Sequence, residues 1–143
     1  TYTHAFLSKL TKEEIAEEFE KTTKLLGEFT GKTPVLGRIP YMEASDLIHE
    51  TAGFPLAHCH VDSKDYTGIP TEEIIKNIMD AEANNELENA IVLLHEHYQT
   101  TAGAVEYLIP TLIEKGYRFV TVSELAKVHG IKLENGVLYS RLD

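Results

Sequence analysis

Four short stretches of this chain carry residues that could do chemistry. The stretch from Ile91 to His97 reads Ile-Val-Leu-Leu-His-Glu-His. Ala90 to Leu94 is apolar without alternation, which reads as a strand buried on both faces, the kind found in parallel sheets flanked by helices. The period of two puts Leu93 and His95 on one side, at the C-terminal end of that strand. An imidazole there, beside an apolar wall, suits a general acid or base working next to a small apolar group. The other reading of His95 is a structural histidine hydrogen-bonded at a strand end. Asp62-Ser63-Lys64-Asp65-Tyr66, Arg38-Ile39-Pro40-Tyr41 and Thr1-Tyr2-Thr3-His4 supply two aspartates, an arginine and a further histidine. Each is weak alone, but gathered at one sheet edge they form a constellation.

The elements that must position these residues are legible in outline. Thr11 and Glu14 have the spacing of a capping box, and Ile15, Phe19, Thr22 and Leu26 recur at helical spacing, so 12–28 is expected to be an amphipathic helix. Strands are expected from Pro34 to Arg38, from Phe54 to Val61, through Ala90–Leu94, and from Tyr117 to Val122. Helices are expected at 44–52, from Thr71 to about Asn84, from Thr101 to Lys115 around Pro110 with Gly116 behind it, and from Ser123 to His129. Asn135-Gly136 between Leu133 and Val137 signals a type I′ hairpin. The alternation of helix and strand predicts parallel strands with right-handed crossovers in a single α/β domain over 1–143. Four strands are few for a complete barrel. With an opening Thr1-Tyr2-Thr3-His4 that reads as mid-domain sequence, this suggests a piece of a larger domain.

The chain has 143 residues, 43% of them apolar, enough for a real core. A net charge of −10 and the lack of a basic stripe argue against nucleic acid as a partner. No apolar run is long enough to span a membrane. The single cysteine, Cys59, rules out an internal disulfide and a multi-cysteine zinc site; it reads as a small buried hydrophobe.

In order and spacing, these stretches resemble the later motifs of the polysaccharide deacetylases, the NodB-homology group or carbohydrate esterase family 4. Thr1-Tyr2-Thr3-His4 resembles the tail of a His-[Ser/Thr]-x-x-His motif, Arg38-x-Pro40-Tyr41 an Arg-x-Pro-Tyr motif, and Asp62-x-x-Asp65-Tyr66 an Asp-x-x-Asp-Trp motif. Leu93-Leu94-His95 resembles Leu-x-His, and Lys115 to Leu125 is very like the family's closing strand and helix. The likeness covers residues 1 to about 128. Ile39, Tyr66, Cys59 and Ala5 depart from the usual residues.

The resemblance implies a distorted (β/α) barrel, of which this chain supplies the later strands and helices plus a C-terminal hairpin. It implies a hydrolase that removes acetyl groups from N-acetylated polymers of the chitin or peptidoglycan kind, or from O-acetylated xylan. A divalent metal, most commonly zinc with cobalt or similar as alternatives, would take His4 as one ligand. A histidine and an Asp-Asp motif, expected upstream of Thr1, would supply the others and the catalytic base. Arg38 would orient that base, and the Tyr41 backbone N–H would help hold the oxyanion. His95 would be the general acid, tuned by Asp65, with Asp62 as the alternative. Leu93, Tyr66 and Tyr41 would line the substrate site. The missing N-terminal segment and the acetylated polysaccharide are then the expected partners, in an extracellular or cell-envelope setting.

Two other classes compete: a catalytically inactive carbohydrate-binding barrel of the same fold, and an open flavodoxin-like protein, which lacks support from any glycine-rich phosphate loop. His58, His60 and His97 could be imagined as a second metal site, but surface or satisfied histidines fit better. His49 and His129 are expected on solvent-facing helix positions, and the acidic run Glu13 to Glu20 on a solvated helix face. Tyr98 could stack on a sugar ring.

Overall fold

A computed structural model describes all residues, 1–143. They form two compact units, one of residues 1–58 with 132–139, the other of residues 59–131 with 140–143.

In the first unit, helix α1 (Lys12–Thr30) begins at the expected capping box. Thr11 Oγ1 accepts from Glu14 N–H at 3.3 Å, and a Glu14 carboxylate oxygen accepts from Thr11 N–H at 2.8 Å. Left-handed Gly31 ends it. Ile15 and Phe19 are its buried residues, packed with Leu7, Ile39, Leu56 and with Ile48 of α2 (Asp46–Thr51). Phe19 meets Phe54 edge to face at 5.0 Å. Strand β1 (Gly37–Arg38) pairs in parallel with β2 (Leu56–Ala57), and β2 in parallel with a late strand, Leu138–Tyr139. A Cβ on Gly37 would lie 2.0 Å from the Phe54 ring, so any larger residue there would have to displace that ring.

In the second unit, β3 (Val61–Asp62) pairs in parallel with β4 (Val92–Leu93). Helices α3 (Thr71–Ala83) and α4 (Gln99–Glu114) close over Val61 with Ile74, Ile78, Ala104, Leu108 and Leu112. Each Val, Ile or Leu among them taken out of water contributes roughly 1.5–3 kcal/mol. A Cβ on Gly103 would lie 3.3 Å from the Thr71 side chain, so glycine allows the two helices to approach closely there. Helix α5 (Val122–Val128) starts at a second capping box, Thr121 with Glu124. The last strand of the chain, Leu138–Tyr139, is β5. No helix is long and apolar enough to cross a membrane.

Several expectations are corrected. The expected strand Phe54–Val61 is two strands, β2 and β3, in separate sheets. The run 90–94 is not buried on both faces: Leu93 is 6% exposed, but Val92 is 37% exposed. Residues 118–121 form no strand, and Phe119 and Val120 are exposed. A strand needs a partner backbone, and here Thr121 turns the chain into α5 instead. Nor is there a hairpin at Asn135-Gly136. Only Gly136 has a positive φ, whereas a type I′ turn needs two, and β5 pairs in parallel with β2. His49 is not simply solvent-facing either: its Nδ1 lies 2.6 Å from the Gly136 carbonyl oxygen, to which it can donate.

Candidate active site

The parallel register of β3 with β4 sets Asp62 opposite Leu93, so the loops that follow the two strands emerge side by side. After Asp62 the chain reverses through left-handed Lys64 (φ 63°) into a single 3-10 turn, Asp65–Thr67. This reversal sends the two aspartates in different directions. Asp62 folds back on its own loop. One of its oxygens accepts from Lys64 N–H at 3.0 Å, and the other from the Lys64 ammonium at 2.6 Å and Tyr66 O–H at 2.9 Å.

Asp65 turns inward and is fully buried. Its Oδ1 lies 2.7 Å from His95 Nδ1, and its Oδ2 accepts from His95 N–H at 2.6 Å and Thr101 O–H at 2.8 Å. Burial alone pushes the Asp65 carboxyl up, but the hydrogen bonds from the His95 ring, the His95 backbone and Thr101 outweigh it and hold the pKa below the ordinary value. Burial likewise pushes Asp62 up, and its bonds from Lys64 and Tyr66 bring it below the ordinary value. An ionised Asp65 can only accept, so His95 Nδ1 carries a proton and Nε2 is the nitrogen that gains and loses one. The His95 side chain is 23% exposed, whereas Asp65 behind it is fully buried.

Aromatic rings surround His95. Tyr66, His97 and Tyr98 meet it edge-on at 5.7, 5.8 and 6.0 Å between centroids. The turn that closes with Tyr98 N–H donating to His95 O leads directly into α4. Leu93 is buried, two residues before His95.

In the first unit, Arg38 is exposed at the end of β1, and Pro40 opens a 3-10 turn, Pro40–Met42. Tyr41 (φ 56°) and Met42 (φ 58°) are both left-handed. Such a conformation costs a non-glycine residue on the order of 1–2 kcal/mol and is concentrated at functional sites. The Tyr41 ring stacks on Phe6 at 3.9 Å and meets His4, itself left-handed at φ 58°, at 5.0 Å. The segment leading to His4 is tied to α1 by Glu18, whose carboxylate accepts from Thr3 N–H at 2.8 Å and Thr3 O–H at 2.7 Å. Glu18 is therefore not part of a purely solvated face. Within the first unit His4 and Tyr41 come together; within the second, Asp65, His95 and Thr101 do, while Asp62 is kept apart from His95.

No three His, Cys, Asp or Glu side chains are grouped so as to hold a metal ion. Of the expected ligands only His4 lies in this sequence, and one imidazole does not make a tight site.

The model of the polysaccharide deacetylase family matches residues 1–55. Peptidoglycan-N-acetylglucosamine deacetylase PgdA of Listeria monocytogenes is 31% identical over 143 residues, covering 97% of this chain and 28% of that protein. A chitin deacetylase of Arthroderma benhamiae is 33% identical, covering 87% of this chain and 35% of its own length. The solved structure of peptidoglycan deacetylase PdaC from Bacillus subtilis is 27% identical, with a TM-score of 0.81 over 90% of this chain and 61% of that one. Residues 1–55 thus match the polysaccharide deacetylase family, and nearly the whole chain is similar to deacetylases of that kind.

The expected fold class, the α/β barrel of the NodB-homology deacetylases, is borne out by that likeness. The chain spans 28% of the Listeria deacetylase and 35% of the fungal one. Two residues that hold candidate side chains in place carry no local sequence signal. Thr101 stands beside Thr100 with nothing but helix register to tell them apart, and Glu18 lies within an acidic run. The Thr3-to-Glu18 and Thr101-to-Asp65 bonds span 15 and 36 residues, and no local pattern signals them.

Proposed function

We propose that the protein containing this chain hydrolytically removes acetyl groups from a polysaccharide, N-acetylated of the peptidoglycan or chitin kind or O-acetylated as in xylan, in an extracellular or cell-envelope setting. The observation that carries the reading is the buried Asp65 carboxylate gripping both the ring and the backbone N–H of His95. The deacetylases to which the chain is similar support it.

In the amide case, water adds to the acetyl carbonyl carbon and the C–N bond breaks. Acetate leaves, and the polymer nitrogen takes a proton to depart as an amine. His95 Nε2 is the donor of that proton, and Asp65 stabilises the charged imidazolium before the transfer. Leu93 and Tyr66 bound the acetyl pocket beside it. In the first unit, the Tyr41 backbone N–H is assigned to the developing oxyanion and Arg38 to orienting the base aspartate. The divalent metal, zinc foremost, would take His4 as one ligand together with donors from outside these residues, and when bound it polarises the carbonyl.

The test is acetate release by the full-length protein from N-acetylated chitin oligomers, peptidoglycan and acetylated xylan, with zinc and after chelation. Metal-dependent release from at least one polymer is expected. No release from any of them in the presence of zinc would overturn the reading.

A further inference from the structure

We propose that Thr101 is a positioning residue for the Asp65–His95 pair, acting through its side-chain hydroxyl. Two of the three hydrogen bonds that Asp65 accepts come from His95, the residue being positioned. Those two bonds alone would let carboxylate and imidazole swing together. The third, from Thr101 O–H at 2.8 Å, ties the carboxylate to a different element, the first turn of α4.

Thr101 is 2% exposed, so its hydroxyl has no water to turn to, and Asp65 Oδ2 has no solvent to replace it. The anchor is itself held. Thr71 O–H at the start of α3 donates to the Thr100 carbonyl at 3.1 Å, and Gly103 lets the two helix starts approach that closely. With Oδ2 filled by two donors and Oδ1 by one, the plane of the carboxylate is fixed from two elements. That plane sets the direction in which His95 Nε2 points.

The kinetic part of this inference rests on the deacetylase reading; the geometric part does not, and the test separates them. Full-length wild-type protein is compared with Thr101→Val, near in shape but without the donor, and Thr101→Ser, which keeps it. The first readout is the low-field NMR resonance of the His95 Nδ1 proton in substrate-free protein; the second is kcat and KM for deacetylation. Thr101→Val is expected to lose that resonance or move it upfield, and to lower kcat about tenfold with KM within about twofold, the scale of one hydrogen bond to a charged group. Thr101→Ser is expected to keep the resonance and at least about half of kcat. A Thr101→Val protein with the wild-type resonance and kcat would overturn the inference. So would a Thr101→Ser protein as deficient as Thr101→Val, since packing rather than the hydroxyl would then be responsible. A wild-type protein that releases no acetate defeats the functional reading, and the resonance comparison still decides the role of Thr101.

Discussion

Replacing Asp65 by asparagine changes almost nothing in shape and everything in hydrogen bonding. Three donors converge on the buried carboxylate: His95 Nδ1–H, His95 N–H and Thr101 O–H. An asparagine oxygen can keep the two donors at the Oδ2 position, but its NH2 group then faces His95 Nδ1. Two donors cannot share that contact, so the imidazole must shift its proton to Nε2 and accept through Nδ1, or turn away. The two retained bonds lose their charge assistance, about half their strength, for a loss of about 1–2 kcal/mol. Relief of the desolvated carboxylate offsets part of this.

The effect on turnover is larger, because the imidazolium has lost its counter-charge. A fall of about 100-fold or more in kcat is expected, the scale of losing a positioned proton donor. Stability should respond to pH with a definite sign. The Asp65 pKa is lowered in the folded state, so its contribution is present above the ordinary carboxylate value of about 4 and is lost as the pH falls through the lower folded value. Wild-type protein should therefore lose stability more steeply on acidification below about pH 4 than Asp65→Asn. The assays are acetate release at neutral pH and urea unfolding across acidic pH. Turnover within a few-fold of wild type, with the same acid limb of stability, would refute the role given to the pair.

Asp62→Asn should leave kcat within a few-fold of wild type while loosening the Lys64–Tyr66 loop, because Asp62 bonds to Lys64 and Tyr66 rather than His95; an effect as large as that of Asp65→Asn would exchange their roles. Arg38→Ala in the full-length protein should lower kcat about tenfold or more with bound metal, measured by atomic absorption, little changed. Gly136→Ala should destabilise by about 2 kcal/mol or more in urea unfolding, since its Cβ would lie 2.3 Å from the His49 carbonyl oxygen at a φ of +74°. A wild-type midpoint for Gly136→Ala would mean that this turn is not held as described.

The helices were legible because their signals are local. Thr11 with Glu14 and the spacing of Ile15 and Phe19 mark the start and buried face of α1 without reference to anything distant. The strands were not, because a strand is defined by its partner. Phe54–Val61 reads as one run but divides between two sheets, and the apolar stretch after Tyr117 pairs with nothing. At the candidate site, sequence brought Asp62 and Asp65 forward as alternatives and could go no further. What separates them is one left-handed residue, Lys64, and lysine carries no signal for that conformation. Thr101 and Glu18 were hidden because their bonds are long-range and their residue types are common.

In the proposed reaction His95, held by Asp65, delivers the proton to the leaving nitrogen. The most direct measurement sets His95→Ala beside wild-type full-length protein on two substrates, an N-acetylated polymer and an activated aryl acetate. An amine leaves only when protonated, whereas an activated aryloxide leaves unaided. A rate loss of about 100-fold or more is expected on the amide and a much smaller loss on the aryl ester. Near-normal amide hydrolysis by His95→Ala, or equal losses on both substrates, would contradict that role of His95.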